Sequence, residues 1–401
     1  MAYYAAYGSS SDAEGYWLGT AAQAAIFLFL SAAPAAVGAA IEGSRLRSAR
    51  AINETTVRSP LSVFFQQTWP SLLAGLGVQA FAIMLMMRGA AVPPGPPPFL
   101  LLTAYVAIIA FHTALGYFLG RVLPVAVSVP LALFLSYVWL GFSWSVGYFP
   151  LRYLAGLALV SCCRVDQSMP AAAPLAAIVF SLVAAIGLVV ATLGRTQQNA
   201  LSRWVTAGAS LILIIGATSL GLNIARDLGP QPFEPRASAD LHCRGESPQI
   251  CLYPEQENDQ TRELLTHAYR NVKATGIPLP PTIVASSRAS TEQALNMAIS
   301  TEQNPSMLIY SFSTSFLHPD LVGDCQNYEE RLAIASVIAD WFNQVSADGI
   351  LDDDALNYGG FIDGIDGARA LRQLDPQAQV EWITANRTAI LDCSAPLRRI
   401  P

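Results

Sequence analysis

The sequence predicts a polytopic α-helical membrane protein followed by a mixed α+β domain, and three observations support this fold class. Only 13% of the 401 residues are charged and 53% are hydrophobic, a balance typical of chains that lie partly in a bilayer. Long apolar runs are confined to residues 1–225. Charge divides at the same point: residues 1–225 carry 10 Lys and Arg against 5 Asp and Glu, and residues 226–401 carry 13 against 24. We therefore expect two parts that face different solvents.

Six apolar runs approach the roughly 20 residues that a helix needs to cross a bilayer. They are Trp17–Ile41, Pro70–Met87, Phe99–Leu119, Val122–Phe142, Pro174–Leu193 and Trp204–Ala225. Only a few residues separate the third run from the fourth, so these two are predicted to form a tight helical hairpin. Residues 1–16 form a short N-terminal segment, and residues 17–225 form the predicted six-helix transmembrane domain.

The placement of arginine predicts the orientation. Seven arginines fall on one side of the predicted spans: Arg45, Arg47, Arg50, Arg58, Arg121, Arg195 and Arg203. The other side has Arg152 and Arg164, with Arg88 at a helix end. Because cytoplasmic loops are enriched in Lys and Arg, we expect the arginine-rich side to be cytoplasmic. The protein is then a multi-pass plasma-membrane protein whose N-terminal segment and C-terminal domain both lie outside.

This orientation places all six cysteines outside the cytoplasm, where an even number indicates disulfides. Adjacent Cys162 and Cys163 either form a vicinal bridge or remain thiols. The other four allow three pairings, of which we favour Cys243–Cys251, a short local loop, together with Cys325–Cys393. A zinc site that uses His242 in "HCRGESPQIC" is an alternative, although zinc ligands are usually two to four residues apart.

Residues 226–240 are rich in proline and predict a linker, and residues 241–401 predict the extracytoplasmic mixed domain. Helical spacing is present in residues 259–276, 328–345 and 375–393, whereas "PTIVAS" and "SMLIYSF" resemble short buried strands. Pro254 and the acidic residues Glu255, Glu257 and Asp259 suit the first turn of a helix. Binding of a ligand by these carboxylates is the alternative.

The acidic and glycine-rich stretch at residues 352–366 allows two interpretations. Clustered aspartates outside a cell suggest a calcium site, but the order of ligands found in an EF-hand loop is absent. The alternative is a solvated loop in which Asp366 caps the next helix. No other cofactor and no other metal site is expected.

Motifs of common enzymes are missing from the chain. There is no GxxxxGK[ST] to hold nucleotide phosphates, and no HExxH, GxSxG or SxxK. We therefore expect no catalytic residues and no enzyme activity. The acidic second half also lacks the basic face that a nucleic-acid partner requires.

The third apolar run contains the most informative intramembrane residues. His112 is an ionisable group inside a span, which by default suggests a function; a histidine hydrogen-bonded within the bundle is the alternative. Gly116 and Gly120 form a GxxxG pattern, which favours close packing of helices.

The loop at residues 44–69 is basic and partly amphipathic. Leu61, Phe64, Phe65 and Trp69 are able to lie at the membrane interface. One interpretation is a positive-inside loop that contacts lipid phosphates. The other is a short helix on the membrane that transmits force to a cytoplasmic partner.

Several stretches together resemble a known family: "AAPAAVGAAIEGSRLRSAR", "HTALGYFLGRVLPVAVSVPLAL", the adjacent cysteines, "CRGESPQICLYPEQE" and "LRQLDPQAQVEWITANRTAILDC". They are similar to actinobacterial ABC transporter permeases of the type-2 exporter class. The resemblance implies a transmembrane subunit that is driven by a separate cytoplasmic ABC ATPase. It also implies that residues 44–69 hold the coupling helix, with Arg45, Arg47, Arg50 and Arg58 at the ATPase, and that the outer loop 143–173 holds re-entrant helices.

Permeases of this class keep both termini in the cytoplasm, whereas this chain is predicted to keep both outside. We therefore expect it to work as a homo- or hetero-oligomer with another membrane subunit. The alternative function is a membrane-anchored sensor or recognition protein, with the C-terminal domain as its receptor, or an accessory subunit.

Overall fold

The computed structural model describes residues 15–48, 59–87, 93, 95–194, 199–286, 288, 290–299, 304–317, 327–351, 362–391 and 395–400. The chain divides into two compact units, residues 1–235 and residues 236–401.

The first unit is almost entirely helical. Its helices are α1 (Trp17–Gln23), α2 (Leu28–Ser48), α3 (Pro60–Met86), α4 (Phe99–Val122), α5 (Val125–Gly141), α6 (Phe149–Ala155), α7 (Ala172–Gly194) and α8 (Ala200–Ile224). A 3-10 turn at Ala24–Phe27 joins α1 to α2. Among the described residues, five helices are long and apolar enough to cross a membrane: the continuous Trp17–Ser48, α3, α4, α7 and α8.

The helices differ in length from the predicted runs, and two of the differences, in α5 and α3, have a clear physical cause. Helix α5 has 17 residues because Pro124 precedes its first turn and the chain leaves helical geometry at Phe142, so it is about 25 Å long. Helix α3 begins at Pro60, ten residues before the predicted Pro70, because Ser59 caps it by accepting a hydrogen bond from the Ser62 amide at 3.2 Å. The described part of the 44–69 loop is therefore the end of α2 and the first turns of α3.

The centre of the first unit is the contact between α2 and α4. A methyl group at Gly116 would overlap the carbonyl oxygen of Ala36, and one at Gly120 would overlap that of Ala40. The helix backbones touch at these positions because glycine has no side chain to separate them.

The remaining helices pack around this pair in alternating directions. Helices α2 and α4 run parallel, since Ala36 faces Gly116 and Ala40 faces Gly120. Helices α3 and α5 run antiparallel to them, as contacts such as Gln79 to Ala24 and Ser128 to Ser44 require. Helix α7 is parallel to α4, and α8 returns antiparallel to α7. The ends of α2, α4 and α7 and the starts of α3, α5 and α8 therefore share one end of the bundle, which we call the arginine end.

The opposite end of the bundle carries the 143–173 loop. Two 3-10 turns, Ser143–Ser145 and Leu157–Ser161, flank α6 in this loop. A short strand, β1 (Gln167–Ser168), then pairs antiparallel with β2 (Glu234–Pro235). Tyr153 also donates a hydrogen bond to the Gly229 carbonyl at 2.7 Å, so the chain that leaves α8 is fixed to this loop.

The second unit contains a four-stranded sheet with order β3-β4-β5-β6. Its strands are β3 (His242–Arg244), β4 (Gln249–Leu252), β5 (Thr282–Ala285) and β6 (Ala294–Met297). The β3–β4 pair is antiparallel, and the other two pairs are parallel. Of these strands the sequence predicted only β5, whose central Ile283 and Val284 are β-branched.

Among the described residues of this unit, five helices accompany the sheet. They are α9 (Asp259–Ala274), α10 (Pro305–Thr314), α11 (Tyr328–Ala347), α12 (Ile362–Arg372) and α13 (Pro376–Leu391). The core lies around α11, where Trp341 and Phe342 are fully buried and Phe342 stacks on Phe316 with ring centroids 4.1 Å apart. The three predicted helices correspond to α9, α11 and α13.

Two local predictions in this unit are wrong. The "SMLIYSF" stretch is helix α10 rather than a strand, because Asn304 caps the Ser306 amide at 3.0 Å and Pro305 suits a first helical turn. Pro254 lies in a separate 3-10 turn, Pro254–Gln256, and the helix starts only at Asp259 with Asn258 as its cap.

The glycine contact predicts that two glycine-to-alanine substitutions change the stability of the protein in opposite directions. Gly116→Ala should lower the unfolding temperature of the detergent-solubilised protein, because overpacking against a backbone costs about 1–3 kcal/mol. Gly208→Ala on α8 is the matched control: its added methyl group meets nothing within 4 Å, and Ala favours a helix over Gly by about 1 kcal/mol. Fluorescence-detected size exclusion after heating measures both, and an unchanged Gly116→Ala protein would contradict the packing.

Candidate functional site

The arginine end of the first unit carries the described arginines of the predicted coupling region. Arg45 and Arg47 lie in the last turn of α2, and Arg45 pairs with Glu42 at 2.6 Å. Arg121 lies in the last turn of α4, and Arg203 lies in the first turn of α8. Arg50, Arg58 and Arg195 lie outside the described residues.

Arginines at these positions suit the helices that carry them. The last turn of a helix has a partial negative charge, so a guanidinium there is stabilised by about 0.3–1 kcal/mol. Arg45 and Arg47 at the end of α2 and Arg121 at the end of α4 therefore have a structural role that is independent of any partner.

The interior of the bundle holds polar side chains that pair between helices. Ser31 donates to Gln79 Oε1 at 3.0 Å, and Gln79 Nε2 donates to the Ala24 carbonyl at 2.9 Å. Ser44 and Ser128 hydroxyls are 3.1 Å apart, and Ser210 donates to the Gly187 carbonyl at 2.7 Å. These bonds join α2 to α3, α2 to α5 and α7 to α8. They add direction to packing that is otherwise apolar.

His112 is completely buried in the bundle. Its Nδ1 atom lies 2.9 Å from the Ser136 hydroxyl on α5. Its Nε2 atom has no hydrogen-bond partner among the described residues, and the Phe111 ring packs edge-on to the imidazole. The structure thus gives His112 a bond between two helices and no neighbouring acid or metal ligand among the described residues.

The cysteines of the first unit and the first pair of the second unit are bonded. Cys162 and Cys163 are bonded to each other and are both buried. Cys243 and Cys251 form the predicted disulfide across the β3–β4 pair, where they are directly opposite in register. The zinc interpretation of this stretch is therefore wrong. Cys325 and Cys393 lie outside the described residues.

Charged groups reinforce the same hairpin. Arg262 on α9 pairs with Glu257 at 2.6 Å and donates to the Ile250 and His242 carbonyls on β4 and β3. The hydrogen bond from Arg262 lowers the pKa of Glu257, which keeps this carboxylate ionised. Glu257 therefore has a structural partner. So does Glu255, which pairs with Arg236 at 3.0 Å.

The most unusual ionisable group of the second unit is Asp340 on α11, which is only 4% exposed. Its Oδ2 atom has no hydrogen-bond partner among the described residues and lies against Gly364 on α12. Burial raises the pKa of Asp340 to about 6, and the charge of Asp340 adds to the burial that raises the pKa of Tyr310. The sequence reasoning missed Asp340, although a lone acid within the apolar face of a predicted helix was a signal for it.

The calcium hypothesis concerns a stretch that is only partly described. Residues 352–361 lie outside the described residues. Asp366 does not cap a helix; it lies inside α12 and pairs with Arg369 at 3.2 Å. Among the residues that the structure describes, no group of three His, Cys, Asp or Glu side chains could hold a metal ion.

Comparisons with known proteins concern the second unit alone. A family model described as a domain of unknown function, DUF7224, matches residues 250–393. No curated protein and no solved structure matches the chain significantly. The matched segment begins on β4 and ends after α13, so it contains nearly all of the described secondary structure of this unit.

Asp340 predicts a dependence of stability on pH. The folded state holds the proton up to about pH 6, while an unfolded chain releases it near pH 4. The second unit should therefore lose stability as the pH rises from 4 to 6, by on the order of 2 kcal/mol. Asp340→Asn removes this cost, so at pH 8 hydrogen exchange in the α11 peptides of the full-length protein should be slower in the variant.

At pH 4 the difference between the variant and the wild type should be small. Asp366→Asn, which changes an exposed carboxylate on α12, is the control and should behave like the wild type at both pH values. Equal hydrogen exchange in Asp340→Asn and the wild type at pH 8 would contradict the conclusion that the buried Asp340 carboxylate destabilises the second unit.

The remaining predicted bridge joins Cys325 to Cys393. Non-reducing peptide mapping of freshly isolated membranes should recover this crosslink together with Cys243–Cys251. Loss of such a bridge typically costs about 2–5 kcal/mol, so Cys393→Ser should lower the yield of folded protein. Recovery of Cys325 and Cys393 as free thiols would refute the pairing.

Proposed function

We propose that this chain is a permease-like transmembrane subunit of an ABC-type exporter complex in the plasma membrane. In this proposal α5 is a sixth crossing, the arginine end is cytoplasmic, and a separate cytoplasmic ATPase hydrolyses ATP. The second unit then lies outside the cell as an extracytoplasmic domain.

The observation that carries the proposal is the grouping of arginines at one end of the bundle. Arg45, Arg47, Arg121 and Arg203 come from three different helices, yet helix direction brings all four to the same end. A cytoplasmic position for that end agrees with the positive-inside rule. In that position the arginines would be available to a cytoplasmic partner.

The first turns of α3 support a partner at this end. Leu61, Phe65 and Trp69 are exposed at four-residue intervals and so share one face of the helix. Phe64, on the other face, is held by the Tyr117 ring with centroids 5.1 Å apart. A movement imposed on the start of α3 would therefore reach α4 through direct contact.

A second function, extracytoplasmic recognition, is favoured by the organisation of the second unit. This unit has its own core and disulfide, and the family match of residues 250–393 does not extend into the membrane unit. A module of this kind can bind a ligand outside the cell while the helices act as an anchor.

The test is copurification with a variant in which Arg45, Arg47 and Arg50 are all replaced by Glu. Purification of the wild type in mild detergent should bring down a P-loop ATPase, identified by mass spectrometry. The variant should lose most of it, because three attractive charges become repulsive. Arg226→Glu, at the opposite end of α8, is the control and should retain it.

Topology is checked in the same variant, because fewer arginines weaken the positive-inside signal. An added cysteine at Ser48 should stay unlabelled by a membrane-impermeant reagent in intact cells. An ATPase retained by a correctly inserted variant would contradict docking through these arginines. Absence of any ATPase from the wild type would favour the recognition function.

A further inference from the structure

Arg47 and Arg121 lie on the last turns of α2 and α4, whose backbones touch, and neither has an acidic partner among the described residues. The Gly43 position on α2 faces the Tyr117 carbonyl and the Arg121 amide on α4. Arg47 is one helical turn beyond Gly43 and so lies on the same face. Ser44, next to Gly43, confirms how close the two helix ends are, since its hydroxyl lies 3.3 Å from the Gly120 carbonyl and 3.5 Å from the Leu123 carbonyl.

The positive charges of these two guanidinium groups are not neutralised by a described acidic residue. The neighbouring Glu42 already pairs with Arg45. Within the described part of the chain, neither Arg47 nor Arg121 forms an ion pair. An anion bound at the touching ends of α2 and α4 would be attracted by both positive charges.

The start of α3 adds a third positive element. Phe64 contacts Tyr117, which is one turn before Arg121. Because α3 and α4 are antiparallel, Pro60 lies at about the level of Arg121. The positive end of the α3 dipole therefore points to the same region as the two arginines.

Exposed apolar side chains continue from this region along α3. Leu61 is 45% exposed and Phe65 is 60% exposed. The combination is a cationic region next to an apolar helix face. A cationic region beside an apolar face suits an amphiphile with an anionic head and hydrocarbon tails better than a free anion.

We propose that Arg47, Arg121 and the N-terminus of α3 bind the headgroup of an anionic phospholipid, with its acyl chains against Leu61 and Phe65. The inference rests on the proposed placement of the first unit in a membrane, but it needs no ATPase. The lipid headgroup would supply a full negative charge to two arginines that form no ion pair with a described residue.

The test is native mass spectrometry of the purified full-length protein titrated with phosphatidylglycerol or phosphatidylcholine. The wild type should bind one phosphatidylglycerol saturably and at least tenfold more tightly than phosphatidylcholine. Arg47→Gln with Arg121→Gln should weaken phosphatidylglycerol binding about 30-fold, since each arginine near a bilayer surface contributes about a factor of five. Arg121→Gln alone should give about a fivefold loss.

Arg226→Gln, which removes one exposed arginine at the opposite end of the bundle, is the matched control and should bind like the wild type. Inorganic phosphate at millimolar concentration should not displace the lipid, and displacement would indicate a site for free phosphate instead. Equal binding of the two lipids by the wild type would overturn the proposal, even if the variants failed to fold. So would undiminished phosphatidylglycerol binding by a folded double variant. Because the measurement uses the chain alone, its failure is distinct from the failure of ATPase docking.

Discussion

The first unit depends on the backbone contact between α2 and α4. In an apolar solvent, helices gain nothing from burying hydrocarbon, so they associate through close packing and hydrogen bonds. Gly116 and Gly120 permit that approach because no side chain separates their backbone from the carbonyls of Ala36 and Ala40. The contact aligns α2 and α4 in parallel, and the serine, glutamine and histidine bonds of the other helices form around this pair.

The second unit is stabilised in a different way, as expected for a domain surrounded by water. Its core is a layer of large side chains around α11, including Trp341 and Phe342. Strand β3 is exposed, and it is fixed to the buried strand β4 by the Cys243–Cys251 bond and by Arg262 from α9. Among the described residues, Asp340 opposes this packing, because its carboxylate is buried in the contact between α11 and α12.

The parts of the fold that the sequence predicted are those with a long repeating pattern. Apolar runs located every long helix of the first unit, and helical spacing located α9, α11 and α13. For residues 44–69 the sequence allowed a short separate helix but did not show that residues 60–69 continue into α3, because polar residues precede Pro70. Short elements failed for a related reason: a mostly apolar run of seven residues does not distinguish helix from strand, and in α10 the Asn304 cap favours the helix.

The candidate sites, like the fold, could be predicted only in part from the sequence. The sequence identified Arg47 and Arg121 as members of a positive side, but only the direction of α2 and α4 brings them to the same place. Their convergence follows from the glycine contact: helices that touch at Gly120 must also bring their last turns together, with the arginines that suit a helix C-terminus. Close packing of α2 and α4 thus brings positive charge to one end of the bundle. In the proposed membrane placement, an anionic lipid bound at that end would couple the packing of the bundle to the composition of the leaflet that it faces.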